Sequence, residues 1–244
     1  MNWTFINTGA NPGKFNMDFD LELVKNFSGS PILRIYRWFP YCISLGANQN
    51  INSINEAKVF NDGIEIVKRP TGGRAILHSE ELTYSVVYPV SSSNSPKQIY
   101  REINLALMNG LTNYNQAFQK IELENIQPHF PSFYKDDKST LCFAVSAMNE
   151  LNYHGKKVVG SAQRKIGNII LQHGSILCGS NHKKIVDYVN LSPDKIQLIK
   201  NDLNQTTTEL ETILGEKINY DELSSSVKKG TGKEGRKREK RERK

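Results

Sequence analysis

Cysteine is scarce in this chain of 244 residues: there are three, Cys42, Cys142 and Cys178, set far apart. An odd, scattered set excludes a disulfide framework and lacks the paired spacing of a zinc site. Long apolar runs are lacking too. No stretch approaches the roughly 18 apolar residues that cross a bilayer, and "MNWTFINTGANPGKFNMDFD" holds no basic segment followed by an apolar one. The expectation is a cytoplasmic protein with free thiols and no membrane partner. Also missing are a phosphate loop of the GxxxxGK[ST] kind, a dinucleotide fingerprint, zinc-finger spacing and an RNA-recognition aromatic motif.

The formal charge is +7, but it is unevenly distributed. Lys228 to Lys244 holds ten of the 32 basic and three of the 25 acidic residues, so 22 of each sign remain and the body is neutral. "KKGTGKEGRKREKRERK" has nothing apolar to bury and repels itself. The expected division is a domain over residues 1–226 and a disordered basic tail over 227–244. Such a tail can touch polyanions or simply solubilise the chain. Without a motif in the body, nucleic acid is not an expected partner.

Helical and strand periods alternate along the body. After "GANPG", Asn16 is a suitable cap for a helix to about Phe27, with Met17, Leu21 and Val24 near one stripe and Asp18 and Asp20 early in the dipole. "ILRIYRWF", "CISLGA", "IEIVKRP", "RAILH" and "LTYSVVYPV" read as strands. Ile99, Ile103, Leu107 and Leu111 recur every fourth residue, which predicts a helix from Pro96 to Tyr114. "MNELNYHGKKVVGSA" reads as two strands around His154-Gly155, and "GNIILQHGSILC" as another. Helical segments at His182 to Val189, Thr208 to Leu214 and Tyr220 to Ser226 close the body. Together these predict a single α+β domain, with largely antiparallel sheets flanked by helices.

Three segments carry chemistry. In "KRPTGGRAILHSEELTYS", Gly72-Gly73 lets the backbone approach a ligand or simply turns a hairpin, between Arg69 and Arg74 with forked donors. In "YHGKKVVGSAQRK", strand alternation puts Lys157 on one face with Ser161 and Lys156 on the other, so only one lysine faces inward. Cys142, between Leu141 and Phe143, is ordinarily a buried, inert thiol, yet a cation nearby would lower its pKa and make it a nucleophile. Cys42 and Cys178 read as packing residues.

"RPTGGRAILHSEELTYSVV" together with "GKKVVGSAQRKIGNIILQHGSIL" resembles the biotinyl/lipoyl protein ligase and transferase family, and most of all its octanoyl transferases of the LipM type. The likeness runs from "NTGANPGKFNMDFDLELV" to about Val189. The resemblance implies transfer of octanoyl from octanoyl-acyl carrier protein to a lysine of lipoyl domains, those of 2-oxoacid dehydrogenases and the glycine-cleavage H protein. It implies no cofactor and no metal. Cys142 in "LCF" would form the acyl-thioester, and Lys157 in "GKK" would lower the thiol pKa and orient the acyl carbonyl. Arg69, Thr71, Gly72, Gly73, Arg74 and His78 would bind the substrate from one side. Gly160, Ser161, Ala162, Gln163, His173 and Gly174 would do so from the other. Ile76, Val158 and Ile170 are the residues expected along an acyl tunnel. Two alternatives within the family are an ATP-dependent lipoate-protein ligase and an amidotransferase with octanoylated H protein as donor.

Overall fold

A computed structural model describes residues 3–124 and 150–232. Cys142 and the tail from residue 233 lie outside the described residues.

A seven-stranded sheet and a three-stranded sheet form the framework. The large sheet has the order β1 (Thr4–Asn11), β2 (Ile32–Trp38), β6 (Glu81–Pro89), β10 (Ile169–Leu177), β9 (Lys156–Ile166), β8 (Leu151–Tyr153), β7 (Ile121–Leu123). Only the β1–β2 pair is parallel in it. The small sheet sets β3 (Cys42–Leu45) between β4 (Glu65–Lys68), parallel, and β5 (Ile76–His78), antiparallel.

Strands β6 and β10 occupy the middle of the large sheet, and both are buried along nearly their whole length. Their Val, Ile, Leu and Tyr residues suit a strand covered on both faces. Helix α3 (Pro96–Tyr114) begins with a capping box between Ser95 and Gln98 and lays Ile99, Ile103, Leu107 and Leu111 on the sheet. The C-terminal helix α6 (Tyr220–Gly230) covers the same core with Leu223 and Val227. Around the small sheet, Ile43, Leu45 and Leu77 meet Ile185 and Val186 of a 3-10 segment (Ser180–Tyr188). Ile199 and Leu203 of α4 (Pro193–Thr206) complete that second core. Helices α2 (Glu56–Asn61) and α5 (Leu210–Leu214) are short connectors. No helix among the described residues is long and apolar enough to cross a membrane.

Several expectations are corrected. Helix α1 spans Gly13–Lys25 and starts before Asn16, because the Gly13 N–H donates to Glu65 Oε2 of β4 at 2.6 Å, a cap supplied from 52 residues away. Asn16 is consequently inside the helix and buried, where its Nδ2 donates to the Asn11 and Arg37 carbonyls. Asp20 lies in the buried middle of that helix and not in its first turn. The segment expected as helix at His182 to Val189 is 3-10. Lys228 and Lys229, expected in the tail, form the last turn of α6, since Gly230 fits against the Gly110 backbone of α3. Strand β1 and helices α2 and α4 were not anticipated.

Candidate active site

The face of the large sheet that meets α1 and the small sheet carries an unusual density of buried polar groups. Strand alternation on β2 turns Arg34 and Tyr36 toward α1, where Asp20, one turn past Asn16, receives them. Arg34 Nη1 donates to Asp20 Oδ1 at 2.7 Å, with neither side chain exposed. The guanidinium also lies over the Phe19 and Tyr36 rings. Ser85 donates to Asp20 Oδ1 at 2.6 Å, and His173 Nδ1 stands 3.4 Å from Oδ2. Burial acts to raise the Asp20 pKa, but the His173 hydrogen bond and the Arg34 charge outweigh it and hold the carboxyl below its ordinary range.

A second histidine–carboxylate pair stands nearby. His78 Nδ1 lies 2.8 Å from Glu81 Oε1 and its Nε2 lies 2.7 Å from Ser44 Oγ, while the ring stacks on Trp38 at 4.0 Å. Thr83 and Ser175 also donate to Glu81 Oε1. Burial again acts to raise the Glu81 pKa, and the charge and hydrogen bond of His78 bring it below the usual value.

These groups back a cleft between the two sheets and α1. Met17, Tyr36, Trp38 and Ile76 supply much of its apolar wall. Arg69, His78, Lys157, Gly160, Ser161, Ala162, His173 and Gly174 line it as well, with Ser44, Thr83, Glu150 and Ser175. Lys157 is 2% exposed and its Nζ lies 2.9 Å from Glu150 Oε2. Glu150 Oε1 in turn accepts the Ser161 N–H at 3.2 Å. Lys156 points the other way, into solvent, and donates to the Asn204 carbonyl. Gly174 permits the closest approach here: a Cβ on it would sit 2.2 Å from the Gly160 carbonyl oxygen of β9.

The remaining residues singled out from the sequence are not in the cleft wall. Val158 and Ile170 belong to the core under α3 and do not line the cleft: alternation on β10 turns Ile170 away from the face of Leu171, and a register shift between β8 and β9 leaves Val158 and Val159 both in that core. Thr71 is fully buried, with Oγ1 2.6 Å from His173 Nε2. Gln163 bonds Pro96 O and Gln172 Oε1. Gly72 and Gly73 form the exposed tip of the loop, and Arg74 is half-buried beside them. A Cβ on Gly46 would lie 2.0 Å from the Gly73 carbonyl oxygen, so this loop rests on a bare backbone. Arg69, which does line the cleft, divides its guanidinium between Ser44 of β3 and the loop. Nη1 donates to Ser44 O and Oγ, Nη2 to Gly72 O and Arg74 O, and Nε to Gly72 O.

Cys42 and Cys178 are buried, and burial pushes both thiols well up from the ordinary range. Neither is a ready thiolate. Cys142 falls outside the described residues, in the stretch between Glu124 and Glu150.

The lipoyl protein ligase A/B catalytic domain model matches residues 12–231. An octanoyltransferase LipM of Staphylococcus aureus is 33% identical over 236 residues, covering 93% of this chain and 85% of the relative. The octanoyltransferase LipM of Bacillus subtilis is 31% identical over 240 residues, 93% of this chain and 84% of its own. Among solved structures, one of the bi-partite lipoate protein ligase and E2 lipoyl domain of Thermoplasma acidophilum matches with a TM-score of 0.72 at 19% identity. That match covers 94% of this chain and 82% of the other, and it agrees with the fold described above. The cleft, the ordered motifs around it and these matches over nearly the whole body converge: the chain belongs to the lipoyl protein ligase A/B catalytic domain family.

Proposed function

We propose that this protein is an octanoyltransferase of lipoate biosynthesis that carries the acyl group on Cys142. The observation that supports the reading is Lys157: a lysine buried in the wall of a largely apolar cleft, on a chain whose relatives are named octanoyltransferases. An apolar cleft suits an eight-carbon chain, and a fixed ammonium suits a thiolate or a developing oxyanion.

In the first half-reaction the Cys142 thiolate attacks the thioester carbonyl of octanoyl-acyl carrier protein. A carbon–sulfur bond forms to Cys142, the bond to the phosphopantetheine sulfur breaks, and that sulfur leaves as thiolate. In the second, the neutral amine of a lipoyl-domain lysine attacks. The carbon–nitrogen bond forms, the carbon–sulfur bond to Cys142 breaks so that Cys142 departs as thiolate, and the proton lost by the amine passes to solvent. Both thioesters are already activated, so no nucleotide enters either step. The acceptors are lipoyl domains of 2-oxoacid dehydrogenases and the glycine-cleavage H protein, and the basic segment from residue 233 is an accessory.

Transfer without ATP tests the reading. Octanoyl-acyl carrier protein and an unmodified lipoyl domain, mixed with the enzyme and no nucleotide, should yield octanoylated domain. Transfer only with ATP and free octanoate would make the chain a ligase. Transfer only from octanoylated H protein would make it an amidotransferase.

A further inference from the structure

The glycine-rich loop is gripped at several backbone atoms by Arg69, but its Thr71 hydroxyl is held separately, by His173 at 2.6 Å. We propose that His173 is a positioning residue: steadied by Asp20, it fixes Thr71 and with it the path of the glycine-rich loop beside the acyl cleft.

The platform for this contact is rigid. His173 is in mid-strand on β10, opposite Ser85 of β6 and Ala162 of β9, at the centre of the large sheet. Asp20 behind it is fixed from α1 by Arg34 Nη1, Ser85 Oγ and Tyr36 Oη. The loop, by contrast, is exposed at Gly72 and Gly73. Thr71 joins the two: its side chain faces His173, and its carbonyl accepts the Ala47 N–H at 2.9 Å.

Proton placement follows from the partners. Burial lowers the His173 pKa, and the facing Arg69 and His78 work the same way against the pull of Asp20, so the ring is neutral near pH 7. The Asp20 carboxylate can only accept, which puts the ring proton on Nδ1 and leaves Nε2 bare. The Thr71 hydroxyl must then donate to Nε2. Its one proton is committed to His173, so Thr71 acts on the substrate through the loop's position and not by donating to the acyl group.

Two pairs of variants of the full chain test this, read by hydrogen exchange over residues 71–75 and by steady-state transfer from octanoyl-acyl carrier protein. His173→Gln sets an amide oxygen near the old Nε2 and keeps an acceptor for Thr71. His173→Asn reaches only as far as Nδ1 and loses it. Thr71→Ser keeps the hydroxyl, and Thr71→Val removes it at nearly constant shape. Loss of one buried hydrogen bond corresponds to about a tenfold effect. Loop exchange should therefore quicken about tenfold in His173→Asn and Thr71→Val, with KM for the donor up about tenfold and kcat within about threefold. His173→Gln and Thr71→Ser should stay within about twofold of the parent. Equal disturbance by Gln and Asn, unchanged loop exchange in Thr71→Val, or a loss confined to kcat would overturn the proposal. If either His173 variant fails to fold, the Thr71 pair decides alone. The kinetic arm rests on the octanoyl-transfer reading, whereas the exchange arm does not, so failure of one is distinguishable from failure of the other.

Discussion

Lys157 and Glu150 face each other at 2.9 Å in the cleft wall, with side chains 2% and 5% exposed. Each partner makes the other's burial tolerable, since an ammonium or carboxylate taken out of water is costly without a counter-charge. Lys157→Ala should therefore do two things. It should lower stability by about 3–5 kcal/mol in urea titration, the usual cost of breaking a buried pair by removing one partner. It should also slow transfer about a hundredfold, equivalent to about 3 kcal/mol of lost charge stabilisation, and move the reactivity of Cys142 to higher pH. Lys156→Ala, on the solvent side, should change stability by less than about 0.5 kcal/mol and leave the rate alone. Equal effects from the two lysines would contradict this division.

Acid should unfold the protein in two stages. The folded pKa values of His173 and His182 are depressed, chiefly by burial, so the unfolded chain takes up protons first as pH falls. Stability is lost from about pH 6.5 downward on their account. Asp20 and Glu81 are also held below their usual values, so their contribution is present above about pH 4 and is lost as pH falls through the folded values. Urea midpoints at pH 7.5, 5.5 and 3 should decline in that order, and His173→Gln should reduce the first step. A midpoint constant between pH 7.5 and 5.5 would show that these imidazoles are not buried in neutral form.

Arg69→Lys keeps the charge and removes the fork. The guanidinium bonds four acceptors, Ser44 O, Ser44 Oγ, Gly72 O and Arg74 O, which no ammonium can reach together. The substitution should cost about 2–3 kcal/mol of stability, and trypsin should cut faster after Arg74. Unaltered proteolysis there would mean that the loop is held by its other contacts alone.

Alkylation should separate the three thiols. Cys42 and Cys178 are buried with raised pKa values, so in the native protein at neutral pH iodoacetamide should modify Cys142 and leave these two until denaturant is added. Native modification of Cys178 ahead of Cys142 would point to a different nucleophile.

Much of the local structure was legible because its signals are local. Ser95-Pro96 and the fourfold spacing from Ile99 define α3, and His154-Gly155, both at positive φ, define the β8–β9 turn. Alternation alone separated Lys157 from Lys156. Strand β1 escaped notice because "TFINTGAN" has no clean alternation and forms by pairing with β2 in parallel. The start of α1 depends on Glu65, far along the chain. Helix α4 did leave a signal, Pro193 at its start with Ile196, Ile199 and Leu203 at helical spacing, which polar neighbours obscured. The buried carboxylates Asp20, Glu81 and Glu150 could not be picked out, since each is defined by partners on other strands: Arg34 and His173, Ser175, and Lys157. Asp20 shares a helical stripe with Asn16, Met17 and Val24, a charged residue on a buried face, which is the one trace it left.

The central claim is a covalent one and is tested most directly by mass. Purified protein incubated with octanoyl-acyl carrier protein, with no ATP and no acceptor domain, should gain the mass of one octanoyl group, located on Cys142 and removed by neutral hydroxylamine. Absence of the adduct, or an adduct that persists in Cys142→Ser, would contradict the thioester account.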